Sequence, residues 1–189
     1  MIFALFFAFI VTQRVVELGI AKRNENWIKS MGAIEYGKEH YKYMVSLHVV
    51  FLTSFLIEVT LLERTLSPFW PAILSLFIMT QTLRVWSIQS LGKFWNTRVL
   101  ILPDASIVKT GPYKFLRHPN YTIVVLEILL IPLMFHAFYT AIVFTVLNAW
   151  MLSVRIPLEE KALSELTSNY STYMEDRNRF SPTFQKETD

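Results

Sequence analysis

Five apolar runs, most of them close to the length that crosses a bilayer as a helix, constrain this chain more than any other feature of its sequence. A transmembrane helix needs roughly 20 predominantly apolar residues. The runs cover residues 1–20, 44–62, 69–86, 122–135 and 137–155, of which 122–135 is short. The chain is 53% hydrophobic and only 17% charged, whereas soluble domains carry about 25% charged residues. We therefore predict a single all-α integral membrane domain over residues 1–189, with five transmembrane helices.

Positive charge falls almost wholly on one side of these spans. Segments 21–43 and 87–121 and the tail after residue 155 together hold fourteen Lys and Arg, whereas the turn 63–68 holds only Arg64. Because Lys and Arg are enriched in cytoplasmic loops, we predict that the N-terminus lies outside and the C-terminus in the cytoplasm. The first run has no basic residues before it, so we expect a membrane span there rather than a cleaved signal peptide. Any site built from the long segments then faces the cytoplasm.

The composition argues against several classes of function. The chain has no cysteine, which excludes disulfide scaffolds, thiol nucleophiles and metal sites based on cysteine. Its four histidines, at positions 40, 48, 118 and 136, have no short ligand spacing, so we expect no metal ion. The net charge of +3 is explained by basic loops facing anionic lipid, and we expect no nucleic acid partner.

The densest group of functional side chains is the stretch KTGPYKFLRHPNY, residues 109–121, directly before the fourth run. Pro119 suits the first turn of a helix, so this stretch forms a cytoplasmic loop that ends where a span begins. Its candidate ligand-binding residues are Gly111, Pro112, Tyr113, Arg117, His118 and Tyr121. The alternative is an ordinary basic segment with aromatic anchors at the membrane surface.

A second group lies at the cytoplasmic end of the fifth run. Glu159 follows Arg155 by four residues, so a continuing helix would bring the two together, although Pro157 limits how regular that turn can be. Glu159 and Glu160 would point about 100° apart on a helix, so one can face a ligand while the other pairs with a base. From Pro157 onward we predict a separate amphipathic helix along the membrane surface.

Five charged residues fall within the runs: Arg14, Glu17, Glu58, Arg84 and Glu127. We expect Glu17 and Arg84, near span ends, to be interfacial or paired. Glu127 lies more than one turn inside the fourth run, where an unpaired carboxylate would be costly. It is therefore protonated or paired within the bundle, or it lines a substrate pocket.

Both groups together resemble the isoprenylcysteine carboxyl methyltransferase family. The resemblance lies in Gly111-Pro112-Tyr113 followed by Arg117-His118-Pro119-Asn120-Tyr121, a helical hairpin, then Arg155, Glu159-Glu160-x-x-Leu163, Tyr170 and Tyr173. It covers about residues 70–180. The N-terminal portion is more similar to small bacterial members, which implies a bacterial plasma membrane.

The resemblance implies a methyltransferase that uses S-adenosylmethionine from the cytoplasm. The predicted cofactor-binding residues are Gly111, Pro112, Tyr113, His118, Tyr121, Glu159 and Glu160; Arg117, His118 and Arg155 are the catalytic candidates, and Glu127 is a candidate for the substrate pocket. Methyl transfer from a sulfonium requires an oxygen held in line with the methyl group and needs no metal. We expect the acceptor to be a lipophilic small molecule, such as an alkylpyrone, or a prenylated molecule, with His118 as base where deprotonation is needed.

Two other functions remain open at this point. Sterol-type membrane reductases share a similar Gly-x-Tyr and Arg-His-Pro-x-Tyr stretch and use NADPH, but they do not share the Glu159-Glu160 arrangement. A small membrane transporter is suggested by Glu58 and Glu127 as intramembrane polar residues. Binding of S-adenosylmethionine rather than NADPH distinguishes the methyltransferase from both.

Overall fold

The structure is a computed structural model that describes residues 1–167, 170 and 179–180. Five α-helices dominate the described part of the chain: α1 (Ile2–Ser30), α2 (Lys38–Leu61), α3 (Trp70–Leu91), α4 (Pro119–Leu133) and α5 (Phe138–Leu166). Two short strands, β1 (Ile34–Tyr36) and β2 (Val99–Ile101), and two 3₁₀ turns, Gly92–Phe94 and Gly111–Lys114, lie between them. Four of the helices are long and apolar enough to cross a membrane, and α4 is a shorter apolar helix.

Aromatic side chains fill the end of the bundle where α1 begins. Phe135, between α4 and α5, packs against Phe3 and Phe6 of α1 with ring centroids 5.2 and 5.6 Å apart. Phe55 of α2 also contacts Phe3 and is fully buried. Tilted and edge-to-face pairs of this kind are favourable beyond the apolar area that they bury. The aromatic cluster therefore closes this end of the bundle.

Glu58 has a structural explanation at the same end. Its Oε2 accepts hydrogen bonds from the backbone N–H and the hydroxyl of Thr140, at 2.7 and 2.8 Å, and Arg64 lies 3.3 Å from Oε1. The first N–H groups of a helix lack partners within the helix and favour a negative charge. Glu58 thus caps the start of α5, and this contact removes one of the two residues that suggested a transporter.

The structure agrees with the all-α prediction, and at the opposite end it adds a small two-stranded antiparallel sheet, in which β1 pairs with β2 and Glu35 lies opposite Leu100. The buried β2 residues Val99 and Ile101 pack with Ala162 of α5. A buried loop must satisfy its backbone N–H and C=O groups, and strand pairing does so here. The segments predicted as cytoplasmic loops are therefore partly ordered against the end of the bundle.

Each of the five helices extends beyond its predicted span at one end, and α1 and α5 do so by the most residues. α1 continues to Ser30, where Glu25 forms ion pairs with Lys22 and Lys29 at helical spacing, at 3.1 and 2.6 Å. The helix predicted from Pro157 is present up to Leu166, but it is the continuation of α5, which runs unbroken through Pro157. Packing of Ile156 and Ala162 in the interior outweighs the hydrogen bond lost at proline. Any continuation of a helix after residue 170 falls outside the described residues.

Candidate active site

One cavity of about 480 Å³ runs between the helices at the end of the bundle that carries the sheet. It is lined by residues of α1, α2, α3 and α4, by segments 94–102 and 105–108, and by the part of α5 from Arg155 onward. Seven of the predicted site residues line it: Tyr113, Arg117, His118, Tyr121, Glu127, Arg155 and Glu159. The tertiary structure therefore brings the two separated motifs to a common space.

The hydroxyl of Tyr121 joins the two motifs. It donates a hydrogen bond to Glu159 Oε2 and accepts one from Arg155 Nε at 2.9 Å. Arg155 also donates to the carbonyl oxygen of Thr97 at 2.5 Å. Arg155 and Glu159 lie four residues apart on α5, and the Tyr121 hydroxyl forms a hydrogen bond with each of them. Both charged side chains are therefore held in defined positions.

The Thr97 carbonyl is held by contacts that sequence reasoning missed. Its neighbour Arg98 lies over the ring of Tyr41 at 3.9 Å and pairs with Glu35 at 2.5 Å. Lys29 also donates to Glu35, at 2.8 Å. Burial acts to raise the pKa of the Glu35 carboxyl, but the hydrogen bonds from Lys29 and Arg98 hold it below its usual value. Glu35 stays ionised and fastens β1 and β2 beside the cavity.

His118 lies at the start of α4 with only 5% of its surface exposed. Its Nε2 is 3.1 Å from Glu160 Oε1, and since a carboxylate only accepts, Nε2 carries the hydrogen. In the neutral imidazole Nδ1 is then the basic nitrogen. Glu160 also receives two hydrogen bonds from Arg179, at 3.0 and 2.5 Å, and Arg117 lies 3.7 Å away. Glu160 orients His118 and does not itself line the cavity.

Gly111 and Pro112 pack behind the cavity rather than facing it. Gly111 has a φ of +59°, and a Cβ there would lie 1.9 Å from Ser90 Oγ of α3. This close approach seats the 3₁₀ turn Gly111–Lys114 on α3 and directs Tyr113 towards the cavity. A role for Gly111 and Pro112 in cofactor binding stays a prediction.

Two buried tyrosine hydroxyls line the cavity without a hydrogen-bond partner among the described residues. They belong to Tyr113 and Tyr170, which are 8% and 6% exposed. Burial, and then the charge of Glu159, raises the pKa of both hydroxyls, so both remain protonated donors. A buried polar group without a partner is costly, and this pair suits a polar ligand. Tyr173 lies outside the described residues.

A group of four charged residues lines the deeper part of the same cavity. We call it the intramembrane charge cluster: Arg14 and Glu17 of α1, Arg84 of α3 and Glu127 of α4. Glu127 pairs with both arginines, at 2.5 Å from Arg14 Nη2, and Glu17 lies 2.6 and 3.3 Å from Arg14 and Arg84. Glu127 is therefore paired and also lines the cavity.

Sequence reasoning treated these charges one by one. Charges within apolar runs need partners of opposite sign, but a third glutamate, Glu58, also lies in these runs, so the sequence does not show which charges pair. Gln13 and Gln81, which donate to Glu17 and Glu127 at 2.9 and 2.8 Å, lie one residue before Arg14 and three before Arg84.

Comparison with known proteins identifies the family of this chain. The model of the isoprenylcysteine carboxyl methyltransferase (ICMT) family matches residues 73–165, a range that contains both motifs and the hairpin between them. The chain belongs to the ICMT family. Membership indicates a membrane methyltransferase and agrees with the several long apolar helices of a multi-pass integral membrane protein.

Two bacterial relatives extend the similarity beyond the matched range. The uncharacterized protein YpbQ of Bacillus subtilis (strain 168) is 44% identical over 163 residues, which are 86% of this chain and 97% of that protein. An uncharacterized protein of Haemophilus influenzae is 31% identical over 161 residues, 85% of this chain and 94% of its own length. The similarity therefore covers nearly the full length of both small bacterial proteins.

Proposed function

We propose that this protein is an S-adenosylmethionine-dependent O-methyltransferase that acts on a carboxyl or acidic hydroxyl group of a lipophilic acceptor. The observation that carries the proposal is the single cavity that joins the charged residues of the two ICMT motifs to apolar walls between the transmembrane helices. A polar cofactor enters such a cavity from the cytoplasmic side of a bacterial plasma membrane, and a lipophilic acceptor enters laterally from the bilayer. Family membership supports the cofactor, since ICMT methyltransferases generally use S-adenosylmethionine.

The residues present fit that cofactor. The Glu159 carboxylate offers a negative charge for its amino or sulfonium group, and the ring of Tyr121 offers a π face to a cation. The hydroxyls of Tyr113 and Tyr170, which lack a partner within the described part of the chain, are donors for its polar oxygens and nitrogens. Arg117 is a cation suited to its carboxylate. When bound, the cofactor would supply an electrophilic methyl group for the acceptor oxygen, with the electron pair of the carbon–sulfur bond left on sulfur.

The chain's own residues position the acceptor oxygen. Arg155, held by Tyr121 and the Thr97 carbonyl, orients an anionic oxygen such as a carboxylate or an ionised acidic hydroxyl. Where the acceptor arrives protonated, Nδ1 of His118 takes the proton while Glu160 stabilises the resulting imidazolium. The apolar walls exclude water, which strengthens these charge interactions. Positioning of this kind can supply several kcal/mol of the barrier.

Calorimetric titration of the purified protein with S-adenosylmethionine tests the proposal. We expect saturable binding that is weakened at least about tenfold in Glu159→Gln, because the variant lacks the charge offered to the cofactor's cationic groups. Lys161→Gln, an exposed change on the same helix, should bind as the wild type does. Absence of binding in a preparation that melts cooperatively, or binding of NADPH instead, contradicts the proposal.

A further inference from the structure

An open groove on the surface of the bundle shares no lining residue with the candidate active site. It has a volume of about 660 Å³ and lies between α1 and α3. Phe6 and Phe9 of α1 line one end of it, and α3 lines its length with side chains three or four residues apart: Leu74, Ile78, Gln81, Val85 and Gln89. Only 11% of the residues in the apolar part of α1 are buried, compared with 39% in α5. The protein therefore leaves most of α1 to be covered by its surroundings.

The groove has the length and the surface of a site for a lipid chain. From Leu74 to Gln89, α3 rises roughly 22 Å, which exceeds the roughly 15 Å that one leaflet contributes to the hydrocarbon core of a bilayer. Val85 and Trp86 on its wall are exposed. Apolar side chains that border a void lose van der Waals contacts. An acyl chain that lies along α3 would restore those contacts.

The face of α1 that borders the groove continues to the end of the helix. Trp27 follows Phe9 by eighteen residues, which is five turns of an α-helix, so both lie on one face, and Arg23 lies on that face one turn earlier. Trp27 packs edge-to-face on Phe94, with ring centroids 5.6 Å apart, and Lys93 Nζ lies 5.2 Å from the centre of the Trp27 ring. These side chains form what we call the basic aromatic patch: Arg23, Trp27, Lys93 and Phe94. The patch lies at the end of the groove that carries the sheet.

The two cations of this patch have no carboxylate partner within the described part of the chain. Arg23 and Lys93 are both exposed, and neither forms an ion pair there. Their neighbours Lys22 and Lys29 do, since both pair with Glu25, at 3.1 and 2.6 Å. By helical spacing, these three residues lie on the face of α1 opposite the groove. Positive charge without a partner is therefore placed on the groove side of α1, where it can attract an anion.

We infer that an anionic phospholipid binds at this site, with one acyl chain in the groove between α1 and α3 and its phosphate beside Arg23 and Lys93. Basic residues near the membrane surface attract anionic lipid, and Trp is enriched at the level of the lipid head groups. A zwitterionic lipid also carries a cation, which Arg23 and Lys93 repel. The site requires neither the cofactor nor a methyl acceptor, so the inference is independent of the proposed function.

Native mass spectrometry of the full-length protein, delipidated in detergent, tests this inference. Palmitoyl-oleoyl phosphatidylglycerol and palmitoyl-oleoyl phosphatidylcholine have the same chains and differ in the charge of the head group. Each lipid is titrated separately, and the dissociation constant of the first bound lipid is obtained from the populations of free and lipid-bound protein. We expect phosphatidylglycerol to bind at least about fivefold more tightly, because one Lys or Arg near an anionic head group contributes roughly that factor.

Variants assign that preference to the basic aromatic patch and the groove. The double variant Arg23→Gln/Lys93→Gln should reduce the ratio of the two dissociation constants to about one, and Arg23→Gln alone should lower it if the double variant fails to fold. Lys42→Gln, which removes an exposed cation of α2, is the matched control and should keep the wild-type ratio. Thr82→Trp fills the groove from an exposed position on α3. It should weaken the binding of both lipids at least about fivefold, because the chain loses apolar contact area.

Equal affinity of the wild type for the two lipids, an unchanged ratio in the folded Arg23 variants, or the same loss of preference in Lys42→Gln overturns the inference. Unchanged affinity in Thr82→Trp contradicts the placement of the chain in the groove. The same spectra also show the oligomeric state. A wild-type dimer that Thr82→Trp converts to a monomer would overturn the inference as well, because the groove would then be an interface between two copies of the chain.

Discussion

Tyr121 shows how one hydroxyl can organise a site. It lies between a cation and a carboxylate, donating to Glu159 and accepting from Arg155, and so it links the first turn of α4 to the C-terminal part of α5. Helical spacing places both charged side chains on one side of α5, and the hydroxyl then fixes each of them by a hydrogen bond. The hydroxyl, rather than the ring, is the part that supplies this link.

Tyr121→Phe removes the hydroxyl and leaves the ring. We expect the affinity for S-adenosylmethionine to fall roughly tenfold, because hydrogen bonds to charged groups contribute about 1.5–3 kcal/mol and both partners are left unsatisfied. Calorimetric titration measures the change. Tyr139→Phe, an exposed tyrosine at the other end of the bundle, serves as the control, and equal affinity in the two variants would contradict the role given to the hydroxyl.

At the scale of elements, the 3₁₀ turn Gly111–Lys114 is positioned by its contact with α3. Gly111 adopts a left-handed φ and approaches Ser90 more closely than any side chain would permit. That contact carries Tyr113 to the cavity wall, where its hydroxyl lacks a partner among the described residues. Gly111 thus affects the site by positioning the 3₁₀ turn that carries Tyr113.

A pair of glycine substitutions separates the close approach from backbone strain. Gly92 also has a left-handed φ, of +53°, but has no atom within 4 Å of an added Cβ. Gly92→Ala should therefore cost only the strain of about 1–2 kcal/mol, whereas Gly111→Ala adds the clash with Ser90. We expect a lower melting temperature for Gly111→Ala than for Gly92→Ala, and weaker binding of S-adenosylmethionine only in Gly111→Ala. Equal effects in both would show that the contact with α3 is unimportant.

At the scale of the whole molecule, the two ends of the bundle differ in structure. One end is closed by packed phenylalanines and by the capping of α5 by Glu58. The other carries the sheet, both ICMT motifs and the mouth of the cavity. The distribution of Lys and Arg along the chain predicts that the second end faces the cytoplasm.

Single-cysteine labelling tests this orientation cleanly, because the chain has no cysteine of its own. Thr65 and Asp104 are both exposed and lie at opposite ends of the bundle. With a membrane-impermeant maleimide on intact cells, we expect Thr65→Cys to react and Asp104→Cys to react only after permeabilisation. The reverse pattern would place the active site outside the cytoplasm and would contradict the predicted topology.

Much of the architecture and the choice of site residues followed from local patterns. Apolar runs located all five helices, since a helix that crosses lipid must be apolar along its length. The ends of α1 and α5 were placed too short, because ion pairs around Glu25 and packing of Ala162 extend these helices beyond the apolar windows. The β1–β2 pairing was missed because strands of three residues leave almost no periodic signal.

The amino-acid sequence by itself determined the membrane class and the family, because both depend on residue types at short spacing. It also singled out the polar residues of the two motifs. Only the tertiary structure decided which of them meet: Tyr121 with Arg155 and Glu159, His118 with Glu160, and Arg14 with Glu127 across 113 residues of chain. Contacts over such separations depend on how the helices pack, and no local pattern carries that information. The intramembrane charge cluster that lines the cavity is likewise a property of that packing.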